Sequence, residues 1–215
     1  MKPFEKWKTE EVERTFGIQY KKTMPLMNDW LAFEQELTAK QSEISEELRL
    51  FLSDFADFWN EEDMKVFFIV PIIQLVNFYS PEKYRTFMET TFQAELKDAQ
   101  DNSCILRGRV EMVVATGKQD PQTPFFFLNE YKAQINIVSD PKGQLLAAML
   151  AAQAKNNGLH LPIYGLYNIR QFWFFLTLQG KEYTTSKAFD ATDKLALKKI
   201  INLLQYVKNH IEKNI

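Results

Sequence analysis

The sequence predicts an α/β chain of the mixed α+β kind, folded as one domain, and three observations carry that prediction. The hydrophobic period is helical up to about Phe78, alternates strand-like from Phe87, and returns to helical at both Asp140 and the C-terminus. The 215 residues, 46% hydrophobic with 18 Phe, are enough to bury a core without disulfides or metal staples. Gly and Pro number only 7 and 8, too few for a fibrous or low-complexity chain, and no stretch reads as a flexible linker. Residues 1–215 are therefore one unit, with a helical extension over 1–59 preceding a core over 60–215.

The elements follow in order. In SEISEELRLFLSDFADFW, Ile44, Leu48, Phe51, Leu52, Phe55 and Trp59 recur at helical spacing on an otherwise acidic segment. A further helix is predicted from about Glu61 to Phe78, with Pro71 kinking or breaking it. In FMETTFQAEL, Met88, Phe92, Ala94 and Leu96 alternate with polar residues and predict a half-buried strand. Residues 104–115 and 124–134 read as two more strands, separated by the turn-rich TGKQDPQTP, so the three form a meander. Asp140 is a good N-cap and Pro141 suits the first helical position, which starts a helix running to Gly158. PIYGLYNI, QFWFFLTL and EYTTSKAF read as further strands. A C-terminal amphipathic helix collects Leu197, Ile200, Ile201, Leu204, Val207 and Ile211 on one face.

Composition excludes several chemistries. Two His and one Cys cannot build a zinc cage in one chain, and Cys104 has no intramolecular disulfide partner. Any metal is held by oxygen donors, which suits magnesium or manganese. The longest apolar run, Val66 to Ile73, falls far short of the roughly 20 residues of a membrane span, and the N-terminus has no apolar signal stretch. A cytoplasmic protein with no membrane partner is expected. The net charge of −2 divides into −4 over residues 1–60 and +2 over the rest, a modestly basic core behind an acidic front.

Charged residues on predicted central strands mark the candidate site. Glu130 and Lys132 follow the doubly apolar run Phe125 to Leu128 and, being two apart on a strand, share a face. Glu111 stands among Val110, Met112, Val113 and Val114 on the preceding strand. Buried charges cost several kcal/mol each unless paired or bound to metal, so a divalent cation between the acids is one economical partner, and a plain ion pair is another.

Four fragments together resemble the PD-(D/E)XK superfamily, the restriction endonuclease-like nucleases, whose core runs helix, three-stranded meander, helix, strand. NEEDMKVFFIVPII is similar to the first-helix motif and assigns Glu61 as the helix acid. GRVEMVVA resembles the second-strand motif with its acid at Glu111, EYK the third-strand signature, and DPKGQLLAAM the following helix with its Gln at Gln144. The ordered set covers nearly the whole chain and is similar to a group of compact, stand-alone bacterial members. The second-strand acid departs from the pattern, being Glu after Val where Asp after Pro is usual.

The resemblance implies a Mg2+-dependent (or Mn2+-dependent) nuclease that hydrolyses phosphodiester bonds of nucleic acid, DNA in the first instance. Glu111, Glu130 and the backbone carbonyl of Tyr131 would hold the metal. Lys132 would orient or deprotonate the attacking water, Glu61 would bind a second ion or anchor water, and Gln144 would hold water or phosphate. Arg107, Arg109, Lys83 and Arg85 are the candidate phosphate contacts. The alternative is a weakened or inactive member of the same fold that binds nucleic acid or protein. A homodimer is left open.

Overall fold

The computed structural model describes residues 2–132, 140–156 and 161–214, except for the side chains of residues 126–132. Its centre is one eight-stranded mixed sheet. Before the sheet come a 3-10 turn (Phe4–Lys6), α1 (Thr9–Phe16), the short strand β1 (Gln19–Tyr20), α2 (Pro25–Ala32) and α3 (Ala39–Phe55). A broken helix follows, made of α4 (Glu61–Met64), a π turn (Lys65–Ile69) and α5 (Val70–Val76). Then come β2 (Arg85–Lys97), β3 (Ser103–Ala115), β4 (Pro124–Lys132), α6 (Pro141–Lys155), β5 (Ile163–Ile169), β6 (Phe172–Gln179), β7 (Glu182–Thr185), β8 (Phe189–Asp190) and α7 (Lys194–Asn214).

The strand order is β1-β7-β6-β5-β4-β3-β2, with β8 beside β6. β2, β3 and β4 form the predicted antiparallel meander. α6 then crosses over, so that β5 runs parallel to β4, and β6 turns back antiparallel to β5. The alternation of β5 explains the two covered faces. Tyr164 and Leu166 join the core under α2, α3, α5 and α7, whereas Ile163 and Tyr167 join the core under α1 and α6. Tyr164, Tyr167 and Trp173 are all buried, so these aromatics are core residues.

Residues 1–59 are built into both faces. Phe4 is 1% exposed and presses on Gly108, where an added Cβ would meet its ring at 2.4 Å. Trp30, fully buried on the other face, donates its indole N–H to the Leu203 carbonyl at 2.7 Å. β1 pairs parallel with β7 and forms the edge of the sheet there, a contact with no local sequence signal. Asp140 caps α6 as expected, accepting from the Gly143 N–H at 2.9 Å, and its other oxygen accepts from the Thr9 N–H at 2.7 Å, capping α1 as well. Gly143 permits this approach, since a Cβ there would lie 2.5 Å from the Thr9 nitrogen.

Candidate functional site

The broken helix sets one wall of the site. Asn60 and Asp63 form a reciprocal capping box, each side chain accepting from the other's backbone N–H. Proline at position 71 has no N–H and would crowd the carbonyl four residues back in a regular helix. The chain answers with the π turn, in which the Val70 N–H bonds to the Lys65 carbonyl five residues earlier. Helical structure therefore continues through Pro71 as far as Val76, where Asn77 ends it in the left-handed conformation. Lys65 opens the π turn and turns its ammonium to the sheet.

The sheet has its own irregularity at the same place. Phe87 faces the core under α1 and α6, and so do Phe92, Leu106, Val110, Val113 and Ala115. Strict alternation cannot put positions 87 and 92 on one face, nor 110 and 113. Both strands exchange faces between Met88↔Met112 and Thr90↔Val110, at the level of Glu89 and Glu111, while the register stays constant. Glu89 adopts φ 48°, a left-handed conformation that costs a non-glycine residue about 1 kcal/mol. The expected burial of Met88 fails for this reason, and its side chain is 45% exposed. On β4, Leu128 pairs with Leu166 and Tyr131 with Asn168, so three steps oppose two and a bulge falls at Asn129–Glu130. Because Met112 pairs with Leu128, this bulge begins at the level of Glu111. Three adjacent strands thus break their regular geometry in one row, and Glu89, Glu111 and Glu130 stand there.

An ionic cluster fills the gap between helix and sheet. The Lys65 Nζ lies 2.7 Å from Glu89 Oε1, 3.2 Å from Glu111 Oε2 and 3.3 Å from Glu62 Oε1. Arg109 Nε meets the other Glu89 oxygen at 2.8 Å. The Lys65 side chain is 13% exposed and that of Glu111 24%, so the pair is far better shielded than a surface ion pair. Burial disfavours the ammonium, but the hydrogen bond to Glu89 and the charge of Glu111 outweigh it and hold the Lys65 pKa above the ordinary lysine range.

The structure places the sequence-selected residues unevenly. It brings Glu111 and Arg109 together. Glu130, Tyr131 and Lys132 lie on β4 just past its last pair with β3, Met112↔Leu128, with Tyr131 and Lys132 in register with Asn168 and Ile169 of β5, and their side chains lie outside the described residues. Glu61 is exposed in the first turn of α4, and the helix acid that reaches Lys65 is Glu62. Gln144 is buried in the first turn of α6, on the opposite face of the sheet from Lys65. Arg107 is exposed on the outer part of β3. Lys83 and Arg85 are exposed just before and at the start of β2. Sequence reasoning missed Lys65, Glu62 and Glu89.

Carboxylates converging on one cation are the donor chemistry that magnesium and manganese take. Among the described residues no group of three His, Cys, Asp or Glu side chains is arranged to hold a metal ion. Glu111 instead has a cationic partner in Lys65, one the sequence did not suggest. Beside the cluster a cavity of about 470 Å³ opens between the broken helix and strands β2 and β3, with Lys65 and Glu111 in its lining. Among the described residues no helix is long and apolar enough to cross a membrane. Comparison with family models gives no match to this chain, and comparison with curated proteins gives none either.

Proposed function

We propose that the chain is a magnesium-dependent nuclease of the PD-(D/E)XK, restriction endonuclease-like kind, hydrolysing phosphodiester bonds of nucleic acid, with DNA the first substrate to test. The observation that carries this reading is the row of Glu89, Glu111 and Glu130 at the shared irregularity of three adjacent strands, with Lys132 two residues farther along β4. The order broken helix, β2-β3-β4 meander, α6, and β5 parallel to β4 supports it, because it follows the element order of that core.

In this reading Glu111, Glu130 and the Tyr131 carbonyl hold the ion, with Glu89 as an added acidic ligand. Bound magnesium lowers the pKa of a coordinated water and offsets charge on the phosphate under attack. Lys132 holds the attacking water and neutralises the developing oxyanion. Lys65 neutralises Glu89 and Glu111 and would offer phosphate a charge-assisted contact. Glu62 takes the helix-acid role, and Arg109 and Arg85 contact phosphate.

Purified protein incubated with single- and double-stranded DNA and RNA tests the reading. Cleavage is expected only with Mg2+ or Mn2+, and should fall at least about 100-fold in Glu130→Gln and Lys132→Ala. No cleavage of any form with either ion would sink it. The Lys65 cluster specifically favours a second reading, a non-catalytic binding module of the same fold in which the ammonium permanently neutralises the acids. Thermal melts separate the two. A metal site gives a rise in Tm on adding Mg2+ that Glu111→Gln abolishes, whereas a purely structural cluster gives no rise and a lower Tm for Glu111→Gln in EDTA.

A further inference from the structure

The end of α3 and the π turn of the broken helix carry rings that the core leaves uncovered. Phe51 is at their centre, its ring centroid 5.1 Å from that of Phe55, 5.0 Å from Trp59 and 6.1 Å from Phe67. Phe55 is 46% exposed, and Phe58, in the turn between Phe55 and Trp59, is 82% exposed. Scattered apolar residues are ordinary on a surface, whereas exposed rings in mutual contact form a patch of the kind that marks an interaction site. The chain around the rings is acidic. Between Phe51 and Phe67 it carries Asp54, Asp57, Glu61, Glu62 and Asp63 against one cation, Lys65, whose ammonium is turned to the sheet. Asp57 pairs with Arg170 from the loop after β5. Glu47 lies one helical turn before Phe51 on the same side of α3. Glu47 and Asp54 are exposed, and among the described residues neither has an ionic partner.

We propose that this patch is a docking surface for a basic amphipathic segment of a partner protein, apolar on the side that meets the rings and rich in Arg or Lys along its edges. The rings and the carboxylates call for the same chemistry. Aromatic faces attract cations as well as apolar side chains, and exposed carboxylates without a partner accept charge-assisted hydrogen bonds from guanidinium or ammonium groups. Nucleic acid and anionic lipid would bring phosphate against the acidic rim. A second copy of this chain would bring the same acids face to face, since a twofold contact sets a surface against itself. An amphipathic helix laid across the rings meets both features at once, with its apolar anchors at helical spacing. Phe67 stands two residues from Lys65, so the bound segment lies against the helix that walls the acidic row. The proposal stands apart from the nuclease reading, because Glu47, Phe51, Asp54, Phe55 and Phe58 have no part in the chemistry assigned to that row.

Fluorescence anisotropy of labelled peptides of about five helical turns, titrated with the full chain in EDTA, tests it. One peptide has leucine along one face and arginine along the other, the second has glutamate in place of arginine, and the third has serine in place of leucine. The first is expected to bind at least about tenfold more tightly than either of the others. Phe55→Ser combined with Phe58→Ser should weaken it about tenfold or more, with the Tm little changed because both side chains are at the surface. Glu47→Lys combined with Asp54→Lys should lose the arginine peptide and gain the glutamate one. No binding of the first peptide, equal binding of any two of the three, or indifference to both pairs of substitutions would each overturn the assignment. A dimer in sedimentation that Phe58→Ser abolishes would give the patch to a second copy, and single-stranded DNA binding that Phe58→Ser abolishes would give it to nucleic acid. Either result overturns the proposal.

Discussion

Lys65 and Glu89 decide the site at the level of single residues. Removing the ammonium in Lys65→Met takes one ionic partner from both Glu89 and Glu111, the latter only 24% exposed, and should cost about 2 kcal/mol in a chemical denaturation at neutral pH. The pH dependence has a definite sign. Because the folded pKa of Lys65 is raised, its stabilisation is fully present below the ordinary lysine value of about 10.4 and is lost as pH rises through the higher folded value. Wild type should therefore lose more stability than Lys65→Met above about pH 10.4 in pH-dependent melts. Glu89 carries a backbone cost that can be separated from its charge. Glu89→Gly and Glu89→Ala both delete the carboxylate, but only glycine relaxes at φ 48°, so the glycine variant should be more stable by about 1 kcal/mol in urea unfolding. An order reversed between the two variants would mean that the left-handed conformation is not maintained in solution.

Among the elements, those governed by local chemistry were legible and those governed by distant contacts were not. The start of α6 could be read because Asp140 and Pro141 act within one turn, and β3 and β4 could be read because buried strands keep their apolar runs. The second duty of Asp140, capping α1, joins residues 131 apart and has no local sign. Asp140→Ala should thus cost about 2 kcal/mol, two caps at about 1 kcal/mol each, where a single-cap residue would cost half of that. Thermal melts of Asp140→Ala beside Asp140→Asn measure the difference. In β2 the apparent alternation of Met88 with Phe92, Ala94 and Leu96 concealed the change of face at Glu89, because residue polarity does not encode a φ angle. Lys65 was hidden by its setting before an apolar run. Which way it points depends on a π turn that answers a proline six residues downstream. Glu111 was found because a charge among valines is anomalous wherever the strand lies.

For the molecule as a whole, the division at residue 60 suggested by charge does not correspond to a separable front. Phe4, Trp7, Val12 and Phe16 belong to one core and Trp30 and Leu52 to the other, and each apolar side chain of this size contributes about 1.5–3 kcal/mol on burial. Six of them sum to about 9–18 kcal/mol, comparable with the whole 5–15 kcal/mol by which a domain is usually stable. A fragment starting at residue 60 should fail to fold, seen as loss of near-UV circular dichroism and of a cooperative transition, while the full chain unfolds in one step. A well-folded fragment would show that the packing of residues 1–59 is dispensable.

The paired change of face in β2 and β3 also constrains how the hairpin can vary. The constant register means that one strand's irregularity is matched by the other's, so the ribbon tolerates both together and neither alone. A single residue inserted into one arm would turn the outer half of that strand inside out, carrying Phe92 or Val110 into water. The same insertion made in both arms at the level of the glutamates would restore the register but turn both outer halves over together, so that Phe92 and Val110 would still leave the core face. Sequences descended from this one should therefore hold the length of both arms constant, and length changes should be found beyond the paired residues, in the loops at either end.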